Sequence, residues 1–212
     1  MNRRRLRVAI IPSGQRMFHA CFFRHGYDSF NPGLGRSRFA PIADGHGHSV
    51  ATLYLAEDEG VALLESVFHE VTPSGERVIR ERDLRVRGLA HVAPPAPLRL
   101  VDLRDSALTE LGIERAGLVT TRAAHYPCTQ EWAAWFHTNG VRGREVDGLL
   151  WHSRMAELVP DEPRPEVAVI FGDRVTSLPG SFRLVGPGVR NLLEGPGRVL
   201  VDEIAERLDV LI

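Results

Sequence analysis

The sequence contains no lysine, so all 26 of its basic side chains are arginines. They nearly balance 27 acidic residues and leave a formal net charge of −1 at pH 7. Nucleic-acid-binding domains usually carry a clear basic excess, so this balance argues against a protein that binds nucleic acid directly. Without lysine, any site for an anion has to use arginine, backbone N–H groups or the N-terminus of a helix.

Cysteines and long apolar segments are also scarce. Cys21 and Cys128 are too few for a disulfide framework, which favours a reducing compartment. No apolar segment approaches the roughly 20 residues needed to span a bilayer. The apolar segment 8–11, which follows the N-terminal arginines, is shorter than the ~7 residues of a signal-peptide core. We therefore expect a cytoplasmic protein that does not bind a membrane.

The length of 212 residues and the apolar content of 43% are sufficient for one domain, 1–212, with a single large core. Apolar spacing and residue type predict where its strands and helices lie. The predicted strands are 6–11, 17–24, 52–56, 86–92, 98–103, 148–153 and 167–171. The predicted helices are 58–70 with Asp58 as its cap, 105–112, 129–139 with Thr129 as its cap, and 198–211 with the apolar stripe Leu200, Ile204, Leu208 and Leu211. Because strands and helices alternate irregularly, we predict an α+β fold with helices flanking a mixed β-sheet.

Several familiar motifs are absent. The sequence has no Walker A motif, no G-x-S-x-G and no H-E-x-x-H. Gly33-Leu34-Gly35 is followed by Arg38 where a dinucleotide-binding fingerprint needs its third glycine. A Rossmann site is therefore not expected.

A small cluster of metal-ligand residue types lies at Asp44, His46 and His48. In an extended segment, His46 and His48 would point to one face. The segment is rich in glycine and a further strong ligand is not evident, so a solvated loop is the favoured interpretation and we expect no metal.

The most informative segment runs from Arg24 to His69. It places Tyr54 on a strand and, eleven residues later, Glu65 near the buried boundary of a helix. A carboxylate in that position, with arginines in reach, is typical of a site for an anionic ligand beside a developing positive charge. The alternative is a solvated helix residue that pairs with an arginine. The residues alone favour this alternative and do not exclude the site.

The order of short motifs along the chain resembles that of the RES domain family. The first half contains FFR, FNPG, GRSRF, TLYLAE and ALLE, and the second half contains PLRLVDL, EWAAW, DGLLWHSR and AVIF. The resemblance covers roughly residues 20–175. It implies a fold similar to that of ADP-ribosyltransferase toxins and an enzyme that acts on NAD.

The resemblance also implies which residues form the site. The family's functional residues fall on Arg24, Arg38, Tyr54, Glu65 and Ser153. Many members have Gly-Gly-Arg where this chain has Gly35-Arg36-Ser37-Arg38, so Arg36 is an alternate to Arg38. The loop 41–50 is longer than is usual in the family, so the resemblance does not define the shape of the entrance to the site.

The chemistry of NAD cleavage suits these residue types. Breaking the nicotinamide–ribose bond passes through an oxocarbenium-like state, which a carboxylate such as Glu65 stabilises. Arginines bind phosphate oxygens through their forked N–H groups. Tyr54 could stack on the nicotinamide ring or bind the ribose, and Ser153 could donate to a phosphate or ribose oxygen. Their alternatives are a core aromatic residue and a turn serine.

We therefore predict a NAD-degrading, toxin-like enzyme, with inorganic phosphate as the expected acceptor and no cofactor besides the substrate NAD. An ADP-ribosyltransferase or a NAD glycohydrolase using the same site, or a non-catalytic RES-like binding module, remain alternatives. The histidines of the 41–50 loop could supply the base that hydrolysis needs. The resemblance also implies an Xre-like antitoxin partner. Homo-oligomerisation stays open.

Overall fold

The computed structural model describes residues 5–69, 77–154, 164–175 and 181–212. The strands within these ranges are β1 (Val8–Ile11), β2 (Met17–Phe22), β3 (Ile42–Ala43), β4 (Ser49–Val50), β5 (Thr52–Ala56), β6 (Arg87–Ala93), β7 (Leu98–Asp102), β8 (Gly148–His152), β9 (Glu166–Phe171) and β10 (Arg183–Leu184). The α-helices are α1 (Glu59–Leu64), α2 (Glu81–Arg85), α3 (Asp105–Leu111), α4 (Arg115–Leu118), α5 (Tyr126–Asn139), α6 (Gly172–Val175) and α7 (Gly195–Leu208). Among the described residues, no helix combines the length and the hydropathy needed to cross a membrane.

Eight strands form one sheet in the order β1-β7-β8-β9-β5-β2-β6-β10. Strands β7 and β8 are parallel, and the other neighbours are antiparallel. A mixed sheet with helices packed against it confirms the predicted α+β class. The long connection from β7 to β8, which contains α3, α4 and α5, is what a parallel pair requires.

The central strands are apolar along their whole length because both faces of the sheet are covered. In β9, every residue from Val167 to Phe171 is buried. One face packs Trp151 and Val169 against Phe136 of α5, and the other packs Leu150 with Phe182. The sheet therefore separates two apolar layers and provides a rigid support for side chains at its strand ends.

Most predicted elements are confirmed. The structure adds short elements that were not predicted, which are the helices α2, α4 and α6 and the strands β3, β4 and β10, and the predicted helices differ at their ends. Helix α1 begins at the predicted cap, because the Asp58 carboxylate accepts the Val61 N–H at 3.1 Å. It ends at Leu64, well before residue 70. Helix α5 begins at Tyr126 rather than after Thr129, and has proline in its first turn. The prediction of Thr129 as an N-cap was therefore wrong.

The C-terminal helix is displaced relative to the predicted range 198–211. Helix α7 spans Gly195–Leu208, with proline in its first turn and Asp209 in the left-handed conformation at its end. Of the predicted stripe, Ile204 and Leu208 are buried, whereas Leu211 lies beyond the helix and is 72% exposed. Leu211 instead forms a parallel bridge with Val78.

Gly148, the first residue of β8, gives a test of how closely the central strands are packed. A Cβ atom at Gly148 would lie 2.0 Å from the carbonyl oxygen of Val169. We expect Gly148→Ala to lower the free energy of unfolding by about 3 kcal/mol or more, because backbone has to move to remove the clash. Gly117→Ala is the control, since a Cβ atom at Gly117 meets nothing within 4 Å. Denaturant titration of both variants measures the difference, and equal stability of the two would contradict this account.

Candidate active site

Strands β2 and β5 diverge after a single residue pair, and the candidate site begins in the gap between them. The paired residues are Phe18 and Ala56. Beyond this pair, the Nδ1–H of His19 donates to the carbonyl oxygen of Tyr54 at 2.8 Å. The His19 side chain thus provides the hydrogen bond that the backbone of β2 does not give to the Tyr54 carbonyl group. The two strands therefore remain separated at this point.

The gap contains a small cavity of about 40 Å³. The side chains of His19, Tyr54 and Glu65 line it, together with mostly apolar residues of β2, β5 and α1. A volume of this size holds only a few water molecules. A ligand as large as a dinucleotide would therefore extend outwards past Glu65 rather than fill the cavity.

Glu65 is fixed at the end of α1 by a hydrogen bond from Ser153. The Glu65 N–H closes the helix by donating to the carbonyl oxygen of Val61 at 2.9 Å. Ser153 directly follows β8, is fully buried, and donates from Oγ to Glu65 Oε1 at 2.6 Å. Its backbone N–H donates to the carbonyl oxygen of Pro165 at 2.9 Å. This arrangement holds one carboxylate oxygen in place.

Arg38 is buried, with 6% of its surface exposed. Its Nη1 atom donates to the carbonyl oxygen and Oγ1 of Thr121 at 3.4 and 3.3 Å. The guanidinium carbon lies 5.7 Å from the centre of the Tyr126 ring, a cation–π distance. Within the part of the chain that the structure describes, Nε and Nη2 have no hydrogen-bond acceptor. N–H groups without an acceptor, on an arginine that is otherwise buried, are suited to an anionic ligand.

The charge of Arg38 is placed beside that of Glu65. Burial lowers the pKa of the Arg38 guanidinium, and interactions with Tyr126 and the Glu65 carboxylate oppose the decrease. An arginine stays protonated despite such a decrease. The Arg38 guanidinium and the Glu65 carboxylate therefore lie close enough for their charges to interact. The region around these two groups is called the Glu65 cleft below, and its low dielectric strengthens their effect on a ligand.

The Tyr54 hydroxyl holds the turn that carries Arg38. It accepts the Phe39 N–H at 3.3 Å and lies 2.8 Å from Ser37 Oγ. Burial raises the pKa of Tyr54 to about 12, and these hydrogen bonds oppose the increase. The hydroxyl is therefore neutral at physiological pH. In the described contacts it joins the backbone of Phe39 and the side chain of Ser37, the residues on either side of Arg38.

Helix α5 fixes the same turn from the other side. The Nε2 atom of Gln130 donates to the carbonyl oxygens of Ser37 and Ala40 at 2.9 and 2.7 Å. The hydroxyl of Thr129 donates to the carbonyl oxygen of Arg38. Thr129 thus stabilises the arginine-bearing turn instead of the helix terminus.

Comparison with known proteins identifies the family. A family model described as the RES domain matches residues 15–178, which is most of the chain. The chain belongs to the RES domain family. The match confirms the resemblance that the sequence motifs carry. A search of curated proteins finds no match.

A solved structure shares the fold of this RES domain. It is the crystal structure of the Mycobacterium tuberculosis MbcT–MbcA toxin–antitoxin complex, in which one chain matches with a TM-score of 0.59 and 15% sequence identity. The match covers 95% of the present chain and 93% of that chain. At this identity the similarity establishes the fold and leaves the chemistry to be argued from the site.

The RES domain brings together four of the five expected site residues: Arg38, Tyr54, Glu65 and Ser153. Arg24 is exposed on the turn after β2, where its Nε atom lies 2.9 Å from His25 Nε2 and its guanidinium carbon lies 5.6 Å from the Phe22 ring centre. No contact among the described residues joins Arg24 to the other four. The alternate, Arg36, is exposed.

The histidine loop is organised by its own aspartate. The Asp44 carboxylate accepts the N–H groups of His46 and His48, both at 2.8 Å, and lies 3.1 Å from His48 Nδ1. The hydrogen bond from the His48 N–H is the main cause that lowers the pKa of Asp44 to about 2. Within the described ranges, no group of three or more metal-ligand side chains is arranged to hold a metal ion.

Two residues of the site were missed by sequence reasoning. His19 lies on a predicted strand, but residue type alone does not show that its ring enters a gap in the sheet. Tyr126 begins a helix and places its ring beside Arg38, with its hydroxyl 3.3 Å from His69 Nε2. Aromatic residues at helix starts usually belong to the core, so the sequence carries no signal for this role.

His19 predicts a specific pH dependence of stability. Burial lowers its pKa to about 4, whereas an unfolded histidine titrates near ~6.5. Between these pH values the unfolded chain binds more protons, so this residue makes the fold less stable as the pH falls from 6.5 to 4. His19→Asn retains a donor for the Tyr54 carbonyl group but does not titrate. We expect the variant to show a weaker dependence of unfolding temperature on pH across this window.

Thermal unfolding followed by circular dichroism between pH 4 and 7 measures this effect. His46→Asn, at an exposed histidine, is the matched control and should keep the wild-type slope. The same slope in His19→Asn and wild type would show that His19 is not held neutral by burial.

Proposed function

We propose that the protein is a NAD phosphorylase that cleaves the nicotinamide–ribose bond with inorganic phosphate as acceptor. The supporting observation is the Glu65 carboxylate. Its Oε1 accepts a hydrogen bond from Ser153 Oγ at 2.6 Å, and its charge interacts with the guanidinium of the buried Arg38. Membership of the RES family, whose characterised members act on NAD, supports the substrate. No cofactor other than the substrate is needed for this reaction.

Glu65 is proposed to stabilise the ribosyl cation. As the bond between the ribose carbon and the nicotinamide nitrogen breaks, its electron pair stays with the ring nitrogen and nicotinamide leaves as a neutral molecule. Positive charge then develops on the ribose, and a carboxylate fixed before the reaction lowers the barrier. The hydrogen bond from Ser153 occupies Oε1, so Oε2 is the oxygen proposed to face the ribose.

Arg38 is proposed to bind the phosphate groups of the reaction. Its Nε and Nη2 N–H groups have no acceptor among the described residues, and together they match two oxygens of a phosphate group. Tyr54 and Gln130 fix the backbone on both sides of Arg38. A guanidinium fixed in this way needs little reorganisation when an anion binds.

Phosphate is the acceptor that suits the groups in the cleft, because Arg38 can position an anion and Glu65 is not available as a base. Phosphate is already a charged nucleophile at pH 7 and needs positioning more than deprotonation. One of its oxygens would form a bond to the ribose carbon and yield ADP-ribose-1″-phosphate. Water would need a base close to its path, and the Glu65 carboxylate is assigned to the cation.

One observation favours hydrolysis as a second candidate function. His19 lines the same cavity as Glu65, and its Nδ1 donates to a carbonyl group. The neutral ring therefore carries its proton on Nδ1 and has an unprotonated Nε2. A nitrogen of this kind can accept a hydrogen bond from a water molecule and orient it for attack, so a NAD glycohydrolase could use His19 rather than the histidines of the 41–50 loop.

Product analysis distinguishes the two reactions. For the phosphorylase, we expect NAD consumption to rise steeply with phosphate and to yield a phosphorylated ADP-ribose, detected by mass spectrometry and phosphorus NMR. His19→Asn should retain most of this activity. Free ADP-ribose formed at the same rate in phosphate-free buffer, and lost in His19→Asn, would establish the hydrolase instead.

Substitutions in the cleft test the assignment of each group. Glu65→Gln should lower turnover by ~10²-fold or more while the protein stays folded, because it removes one charge that stabilises the transition state.

Arg38→Lys should also impair the enzyme, since an ammonium group cannot form the bidentate contact with two phosphate oxygens. Arg24→Lys is the matched comparison at an exposed arginine. An equal loss of activity in Arg24→Lys and Arg38→Lys would show that Arg24 also binds the substrate.

We also propose that the enzyme acts in the cytoplasm as a toxin that an antitoxin protein of the Xre-like type restrains. One observation supports this role, which is that the solved structure sharing the fold is a toxin–antitoxin complex. Uncontrolled loss of NAD would also harm the cell that makes the enzyme, so a restraining partner is expected.

Expression of the chain without a partner should arrest bacterial growth and deplete cellular NAD. Expression of Glu65→Gln at the same level should do neither, because that variant retains the fold and loses the charge of the carboxylate. Growth curves with parallel NAD measurements test this expectation. Normal growth with high levels of active wild-type enzyme would contradict a toxin role.

A further inference from the structure

A second and larger cavity lies at the β1 edge of the sheet, away from the β2–β5 gap. It is about 420 Å³ in volume and is formed by the start of β1, by β7 and by the turn after α5. Strands β8 and β9 separate β7 from β5. The volume falls within the range of small-molecule sites, roughly 300–1,000 Å³.

Arginine is the dominant polar residue of this cavity. Arg7, Arg99, Arg142 and Arg144 line it, and the one lining carboxylate is that of Asp102. The positive charges therefore exceed the negative charge of the lining by three. Apolar side chains lie between the arginines, so the cavity has the mixed character of a ligand site.

The carboxylates around this cavity already have partners. Both oxygens of Asp102 accept hydrogen bonds from Arg104, at 2.9 and 2.8 Å. Glu110 pairs with Arg7 outside the cavity. One oxygen of the Asp147 carboxylate accepts the backbone N–H of Arg99 at 2.7 Å, and this carboxylate also interacts with the Arg99 charge.

Two of the four guanidinium groups lack a hydrogen-bonded partner. In the ranges that the structure describes, no hydrogen bond or ion pair engages the guanidinium of Arg99 or Arg144. Their N–H donors are available to an anion that enters the cavity, because the neighbouring carboxylates form hydrogen bonds with other groups.

The turn that carries two of these arginines is conformationally unfavourable for its sequence. Val141 and Arg144 exchange backbone hydrogen bonds at 2.9 and 3.1 Å, which closes a two-residue turn. Arg142 and Gly143 occupy its centre with φ angles of 53° and 73°. Asparagine or glycine is usual at the first of these positions, because a Cβ atom makes the left-handed conformation unfavourable. Strained residues of this kind are often retained where their side chains serve a function.

We propose that the arginine cavity binds a small ligand with two or more linked phosphate groups, such as a nucleoside diphosphate. Adjacent phosphates can engage several guanidinium groups at once, whereas inorganic phosphate reaches fewer of them. The site is separate from the Glu65 cleft, and the proposal does not depend on the reaction assigned to that cleft.

Isothermal titration calorimetry of the full-length protein with pyrophosphate, ADP and inorganic phosphate tests this proposal. Pyrophosphate and ADP should bind more tightly than inorganic phosphate, with an affinity that falls as salt increases. The double variant Arg99→Gln, Arg144→Gln should weaken their binding by at least tenfold. Arg190→Gln, at an exposed arginine that does not line the cavity, should leave it unchanged.

Arg38→Gln identifies binding that occurs in the cleft instead. Diphosphate binding retained in Arg38→Gln and lost in the double variant supports the arginine cavity. Binding lost in Arg38→Gln and retained in the double variant, or no binding by the wild type, overturns the proposal.

Arg142→Gly gives a second readout that does not depend on a loss of folding. Glycine adopts the left-handed conformation without penalty, so the variant should unfold at a higher temperature than the wild type. It should nevertheless bind the diphosphate at least threefold more weakly, because one guanidinium is gone. A more stable variant with unchanged affinity would show that Arg142 takes no part in a site.

Discussion

The site depends on the hydrogen bond from Ser153 Oγ to Glu65 Oε1, because this bond joins two parts of the chain that share no strand pairing. Ser153 follows a central strand and is fully buried, so its hydroxyl has a fixed position. Glu65 ends a short helix whose other contacts are largely apolar. The bond at 2.6 Å therefore determines where the carboxylate points. A charged acceptor makes such a bond stronger than one between neutral groups.

A buried arginine near that carboxylate imposes a second requirement. The fold has to compensate the desolvation of Arg38, and it does so with the Glu65 charge, the Tyr126 ring and the oxygens of Thr121. Neutral hydrogen bonds hold the backbone of the turn: the Tyr54 hydroxyl accepts one from Phe39, and Gln130 of α5 donates two. The compensation leaves two nitrogens without acceptors among the described residues, which is the property that makes the cleft suitable for an anion.

Element positions were largely predictable because local signals specify them. Asp58 caps α1 through its own side chain, and the strand from Thr52 to Ala56 has the predicted bounds. Helix ends were less predictable. Sequence spacing could not show that Thr129 bonds to the Arg38 carbonyl group instead of capping α5. That choice depends on a partner 91 residues away. Leu211 similarly continues a helical stripe but leaves the helix for a bridge to Val78.

The sequence by itself determined the α+β class and the family, and it predicted the candidate site residues Arg38, Tyr54, Glu65 and Ser153, because residue type, order and interval carry that information. Only the tertiary structure decided which groups meet. It placed Arg24 at the surface, brought His19 into the gap between β2 and β5, and gathered arginines from three distant segments into one cavity. Local spacing cannot encode these outcomes, since each depends on strand order and on where neighbouring strands diverge.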